Sequence, residues 1–146
     1  MDLVKVRFEL DVDEDGFPPI SVERLNAWRI DDDTFELDNP PFFVDSVAVG
    51  GTIQCHETEQ PGVYDFAFVK SESGNKSIAI IFIENKCVEE VYQFMKSCGC
   101  YCEYGEFHVF NMLAVSIDKD VSYKTVVSFL NQKEKAGDIS YAELCI

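Results

Sequence analysis

Apolar and charged residues alternate at the start of the chain, a pattern that predicts a β-strand with one buried face. Residues 4–10 place apolar side chains at even positions and charged ones between them. Apolar-rich segments bounded by turn residues follow at 23–30, 34–37, 52–57 and 63–70. Short strands at this spacing predict a small antiparallel β-barrel or a β-sandwich-like arrangement for the first half.

The pattern changes after residue 76. Residues 77–84 are apolar on both faces, which favours a central strand. Three- and four-residue apolar spacing then predicts a helix with Asn85 as its N-cap and Gly99 at its end. Residues 101–108 and 112–117 read as two strands, a second helix runs from Ser122 to Gly137, and 139–145 is a final strand.

The order of these elements predicts an α+β protein. Its first half is a small β-barrel or β-sandwich-like unit, and its second half follows the β-α-β-β-α-β order of a ferredoxin-like fold. We expect an acidic, β-rich unit in residues 1–75 and a ferredoxin-like unit in residues 76–146. The 146 residues, 47% of them hydrophobic, are enough for one domain or two closely packed ones.

The sequence predicts a cytoplasmic protein without a membrane span. Apolar runs are far shorter than the ~20 residues that a span requires, and the N-terminus resembles no export signal. The six cysteines are therefore expected to be reduced. In the triplet Cys98, Cys100 and Cys102 the one-residue spacing does not match zinc-ligand pairs, so we expect structural thiols and no metal.

Negative charge is concentrated in the first half. Of a net charge of −15, residues 1–75 account for −12, with 17 acidic and 5 basic side chains. The acids form two clusters: Asp11, Asp13, Glu14 and Asp15, then Asp31, Asp32, Asp33, Glu36 and Asp38. Such a field repels nucleic acid and anionic membranes and attracts a basic protein surface. The alternative interpretation is that the acids only keep the protein soluble.

The first acidic cluster resembles part of a calcium-binding loop. Residues 11–16 read D-x-D-x-D-G, which matches ligand positions 1, 3 and 5 and the glycine at 6. The bidentate acid expected at position 12 is displaced, because Val22 stands there and Glu23 follows it. Pro18 and Pro19 also interrupt the loop. We therefore expect an acidic hairpin turn, with calcium binding as the alternative.

None of the candidate catalytic motifs has the residues and spacing that its chemistry requires. Ser73, Gly74 and Lys76 lack the upstream glycine and the following helix of a phosphate-binding loop. Cys55 and His56 are neighbours on a predicted strand, so their side chains point to opposite faces and cannot pair. We expect no enzymatic activity and no cofactor.

Several segments in order resemble a family of small bacterial domains of unassigned function. The segments are Gly16-Phe-Pro-Pro19, Glu23 to Trp28, Asp38-Asn-Pro-Pro-Phe-Phe43, Val47 to Gly50 and Ser73-Gly-Asn-Lys-Ser-Ile78. The resemblance extends over about residues 4–117. The family has a Gly-Asp pair where this chain has Gly50 and Gly51, so any role of that aspartate is absent here.

The resemblance implies a function by analogy. Similar domains occur as immunity proteins beside polymorphic bacterial toxins, including those of contact-dependent growth inhibition. Many such toxins are basic nucleases, because they must bind phosphate. We therefore expect a stoichiometric, charge-complementary inhibitor of a basic toxin. The expected contact residues are Asp11, Asp13, Glu14, Asp15, Phe17, Trp28, Asp31, Asp32, Asp33 and Glu36, with Trp28 equally compatible with the core.

A second hypothesis is a small ligand-binding or regulatory domain. A cleft between the predicted barrel and the ferredoxin-like unit is a common place for a pocket, and the aromatic content, 13% of residues, suits its lining.

Overall fold

In a computed structural model that describes residues 2–146, the first half of the chain forms a closed five-stranded barrel. Its strands are β1 (Leu3–Glu9), β2 (Val22–Arg29), β3 (Thr34–Leu37), β4 (Thr52–Glu57) and β5 (Val63–Ser71). Consecutive strands are antiparallel, and a parallel pairing of β1 with β5 closes the barrel. The alternation predicted for β1 is confirmed, because Val4, Val6 and Phe8 are buried.

The second half contains six elements. They are β6 (Lys76–Phe82), α1 (Val88–Ser97), β7 (Tyr101–Phe107), β8 (Phe110–Ile117), α2 (Tyr123–Lys135) and β9 (Ile139–Cys145). The four strands form one antiparallel sheet in the order β7-β8-β6-β9. Both helices pack their apolar side chains on one face of it, against residues such as Ile78, Leu113 and Val115. The molecule is thus a mixed α+β protein.

The two helices begin differently. Ser122 caps α2 as predicted, because its side-chain oxygen accepts a hydrogen bond from the Thr125 N–H. The prediction that Asn85 caps α1 is wrong. Asn85 lies in a 3₁₀ turn (Ile83–Asn85), has a positive φ of 57°, and is followed by Cys87 at the helix boundary. The chain must reverse between β6 and α1, and this turn occupies the residues that would otherwise have formed the cap.

The connection between β3 and β4 joins the two halves. It leaves the barrel and packs on the face of the second sheet that the helices do not cover. The Ser46 N–H donates to the Leu144 carbonyl at 2.8 Å, and the Ser77 hydroxyl donates to the Val47 carbonyl at 2.8 Å. This connection positions the barrel against the sheet.

None of the helices within residues 2–146 has the length and apolar character needed to cross a lipid bilayer.

Candidate functional site

A cavity of about 550 Å³ lies between the barrel and the second sheet. Barrel strands β1 and β5 provide Phe8, Phe66 and Val69, and the β3–β4 connection provides residues 42–47. The second sheet provides small and medium-sized side chains, among them Ala79 and Ala142. Because its walls come from both halves, neither half alone would form this cavity. Its volume falls within the range of small-molecule pockets.

A buried carboxylate fixes one wall of the cavity. Glu23 is 4% exposed, and its two oxygens accept hydrogen bonds from the N–H groups of Phe42, Phe43 and Val44 at 2.6, 3.0 and 3.0 Å. Burial raises the pKa of Glu23 above its ordinary value, and the three hydrogen bonds oppose that shift. One side chain on β2 therefore holds residues 42–44 in place.

Aromatic rings line and adjoin the cavity. Phe17, from the β1–β2 loop, contacts Phe43 edge to face at a centroid distance of 5.9 Å and lies 6.1 Å from Phe110. Phe107 contacts both Phe42 and Phe43 at 5.3 and 5.0 Å. Phe17 is nevertheless 43% exposed, so this cluster presents an aromatic surface to solvent beside the cavity.

The charged groups of the lining are all acidic. Glu9, Asp11 and Asp45 line the cavity, and among the described lining residues there is no Lys, Arg or His. None of these three carboxylates forms an ion pair within residues 2–146. The cavity thus combines an apolar interior with negative charge that the chain itself does not neutralise.

The predicted contact residues of the first cluster lie next to this cavity. In the β1–β2 loop, Asp13 Oδ1 accepts hydrogen bonds from the N–H groups of Asp15 and Phe17 at 2.9 and 3.0 Å. Asp13 therefore shapes the turn. Asp11, Glu14 and Asp15 are exposed and have no ion pair among the described residues.

The second cluster lies elsewhere. Asp31, Asp32 and Asp33 form the β2–β3 turn, at the opposite end of β2 and about 25 Å away by strand geometry. Asp31 accepts hydrogen bonds from the Asp33 and Thr34 N–H groups, and that hydrogen bonding lowers its pKa. The clusters therefore do not form one continuous face.

The turn's other two carboxylates have partners inside the chain. Asp32 lies 3.8 Å from the Arg29 guanidinium, and Asp33 lies 3.8 Å from the Lys70 ammonium. Both pairs lie at the surface and the Asp32 side chain is fully exposed, so the two cations offset the charge of this turn only in part.

Trp28 and Glu36 form a third location, on the outside of the barrel. They are direct partners across β2 and β3, and Trp28 Nε1 donates to Asp38 Oδ1 at 3.0 Å. Trp28 is partly exposed and does not belong to the barrel core. This position is compatible with a contact to a partner and not with the alternative role in the core.

The cysteines differ in burial and in their polar neighbours, and the Cys87 thiol donates to Asp138 Oδ2 at 3.3 Å and lies 4.0 Å from Lys133 Nζ. Within residues 2–146 no three metal-ligating side chains form a cluster, and all six cysteines are free. Burial raises the pKa of Cys55 and Cys102 to about 12 and that of Cys100 to about 11. Cys55 is buried and His56 exposed, on opposite faces of β4.

Sequence reasoning missed Glu23, Phe42, Phe43 and Asp45. One signal was present for Glu23, because it falls on the same strand face as Leu25 and Ala27, where a charge must find buried partners. The other three lie in an irregular connection, where no periodicity indicates which way a side chain points.

Comparisons with known proteins bear on the fold. No curated protein matches the sequence. A solved structure described as a "novel crystal structure of a hypothetical protein from Neisseria gonorrhoeae" superposes with a TM-score of 0.73 over 98% of this chain and 93% of that chain, at 19% sequence identity. A sequence profile described as "Domain of unknown function (DUF4265)" matches residues 23–141, so the match includes α2, beyond the segment where the sequence motifs were found. The chain belongs to this family of domains of unknown function.

Proposed function

We propose that this chain binds and neutralises a basic protein toxin, as an immunity protein does, by stoichiometric contact without catalysis. The observation that supports it best is the exposed, unpaired set of Asp11, Glu14 and Asp15 next to an aromatic-lined cavity. Electrostatic attraction of this kind accelerates association with a cationic partner. A nuclease-type toxin fits, because its phosphate-binding surface is basic.

We expect the β1–β2 loop to make the main electrostatic contact with the toxin. The β2–β3 turn keeps its own Arg29 and Lys70, so its contribution to a partner's affinity should be smaller. Inhibition of an intracellular nuclease requires action in the cytoplasm, which is where we infer that the protein works. It needs no cofactor, nucleic acid or membrane.

We also infer that the two halves correspond to a small barrel and a ferredoxin-like unit, with the boundary near residue 75. The strand order β7-β8-β6-β9 with both helices on one face supports this assignment. The proposed contact surface lies at the junction of these units.

The test measures binding between this chain and a basic protein that a pulldown with the chain recovers, with any large effector encoded by an adjacent reading frame as the first candidate. A loop variant, Asp11→Asn/Glu14→Gln/Asp15→Asn, removes three charges but keeps Asp13, which shapes the turn. A matched control, Glu57→Gln/Glu59→Gln/Glu72→Gln, removes three exposed charges elsewhere. Both variants change the net charge equally, so the comparison isolates position from total charge.

We expect 1:1 binding by the unmodified chain, with inhibition of the toxin's activity. The loop variant should associate about tenfold more slowly at low salt, and the control should change far less. Equal effects of the two variants would show that net charge alone matters. Absence of any such partner would contradict the proposed function.

The cavity supports a second candidate, binding of a small ligand. A volume of about 550 Å³ can enclose a metabolite-sized molecule. A thermal-shift screen distinguishes the candidates, because a ligand that binds only the folded protein raises its melting temperature with concentration. Stabilisation by a metabolite, without inhibition of any adjacent toxin, would favour this second function.

A further inference from the structure

We propose that the cavity between the barrel and the sheet is an anchor site for a peptide segment of the partner in which apolar side chains are flanked by lysine or arginine. The inference rests on the proposed function and specifies the chemistry that the partner must present. It assigns the apolar cavity and its acidic rim to a single occupant.

The register of β6 and β9 places two small apolar side chains side by side in the cavity wall. Ala79 on β6 and Ala142 on β9 are direct partners, and both line the cavity. Two methyl groups stand where larger side chains would fill the space, while Phe8, Phe66 and Met112 supply apolar walls around them. Ala79, Phe8 and Met112 are themselves buried, whereas Ala142 is exposed and Phe66 is half-buried. An apolar group that covers the last two would remove their apolar surface from water, which is favourable.

The size of the cavity indicates more than one side chain. A dry cavity of about 150 Å³ is enough to bind benzene. The volume of about 550 Å³ is more than three times larger, which gives room for two side chains that share one face of an extended peptide, at positions i and i+2.

The negative charge of the cavity lining favours a partner segment with cations on both sides of its apolar residues. Glu9, Asp11 and Asp45 lie in the lining, and no cation from the described lining residues offsets them. Beyond the cavity, the same loop continues with Glu14 and Asp15. Negative charge therefore extends past the cavity mouth, so an extended segment with several cations complements it better than a compact ligand with one.

The experiment uses the full chain and three synthetic probes: acetyl-Lys-Leu-Gly-Phe-Lys-amide, acetyl-Glu-Leu-Gly-Phe-Glu-amide and acetyl-Lys-Gly-Gly-Gly-Lys-amide. Methyl NMR follows Ile81, Met112 and Leu144, which line the cavity, with Ile53 of the barrel core as an internal reference. We expect the first peptide to shift the cavity methyls saturably and to bind about tenfold more tightly than the other two.

Two pairs of variants locate the binding. Ala142→Leu places three carbons into the cavity, whereas Ala136→Leu adds the same atoms at the exposed end of α2. Asp45→Asn removes a lining charge, whereas Asp120→Asn removes an exposed charge outside the lining. We expect Ala142→Leu to weaken binding about tenfold and Asp45→Asn about threefold, with both controls unchanged. Circular dichroism establishes that each variant folds.

The outcomes separate this inference from the proposed function. Equal binding of all three peptides, or no binding, overturns the inference. Shifts confined to residues outside the cavity, or an effect of the control variants equal to that of their pairs, do the same. If the peptides fail while the basic partner protein still binds through the β1–β2 loop, the anchor inference alone is wrong. If the first peptide binds in the cavity but no such protein is bound, the proposed function is wrong.

Discussion

At the scale of single residues, Glu23 determines more of the structure than any of the exposed acids. Three backbone N–H groups of the β3–β4 connection donate to its carboxylate in a buried setting. In Glu23→Gln, the amide NH₂ would face the Phe42 N–H, and two donors would meet without an acceptor. We expect the free energy of unfolding to fall by about 2 kcal/mol. Urea denaturation measures it, with Glu57→Gln as an exposed control that should be neutral.

The stability difference between the unmodified chain and Glu23→Gln should depend on pH. Burial raises the folded-state pKa of Glu23 above 4.5, so the folded protein binds a proton more tightly than the unfolded chain. The stability that follows from this shift is complete below pH 4.5 and is lost as pH rises through the folded-state pKa. The stability difference between the unmodified chain and Glu23→Gln should therefore shrink from pH 4.5 to pH 7.5. An increase over that range would contradict the assigned direction.

The thiols give a chemical test at the same scale. With a pKa of about 12 instead of 9, Cys55 and Cys102 should hold about a thousandfold less thiolate near neutral pH. We expect iodoacetamide at pH 8 to leave both unlabelled in the native protein and to label them in urea. Mass spectrometry of the peptides provides the measurement. Native labelling of Cys102 at the denatured rate would show that β7 opens readily.

At the scale of elements, the contact between β7 and the β3–β4 connection depends on Gly105. A Cβ built there would lie 2.7 Å from Phe42 Cζ and 3.0 Å from Phe107 Cε2. Both rings already pack against each other, so Gly105→Ala must displace them. We expect a loss of about 2 kcal/mol in the free energy of unfolding. Glu106→Ala, at the next and exposed position, should cost far less, and equal losses would mean that strand propensity is responsible.

The sequence predicts an element well when local residue patterns determine that element's structure. Strands β1 and β6 and the start of α2 follow from local periodicity and from Ser122, and those predictions were accurate. The start of α1 was missed because Glu84, Asn85 and Cys87 adopt positive φ, a conformation that residues other than glycine rarely adopt and that local sequence patterns do not indicate. The cavity was expected only as a cleft between two units. Part of its lining, residues 42–47, comes from the irregular β3–β4 connection, where no hydrophobic periodicity indicates which side chains face the cavity.

Residues in the segments that carry the family resemblance hold elements of the fold together. Glu23 binds the Phe42 and Phe43 N–H groups, and both Ser73 and Asn75 donate to the Val49 carbonyl, at 2.7 and 2.9 Å. These contacts fix the β3–β4 connection at its two ends. The acids proposed to meet a partner lie outside this set.

At the scale of the whole molecule, a net charge of −15 opposes folding through self-repulsion that salt screens. The β1–β2 loop contributes Asp11, Glu14 and Asp15 to that repulsion without an internal counter-ion among the described residues. We expect the melting temperature to rise when NaCl is increased from about 10 to about 150 mM, which shortens the Debye length from about 30 to about 8 Å.

The loop variant Asp11→Asn/Glu14→Gln/Asp15→Asn should melt at a higher temperature than the unmodified chain at low salt and respond less to added NaCl. Removing the charges proposed to bind a partner would then stabilise the isolated protein, which is the relation expected where acids serve binding at a cost in stability. Differential scanning calorimetry measures both quantities. If the loop variant were less stable at low salt, the three carboxylates would be stabilising the fold, and their exposure would need a structural explanation instead.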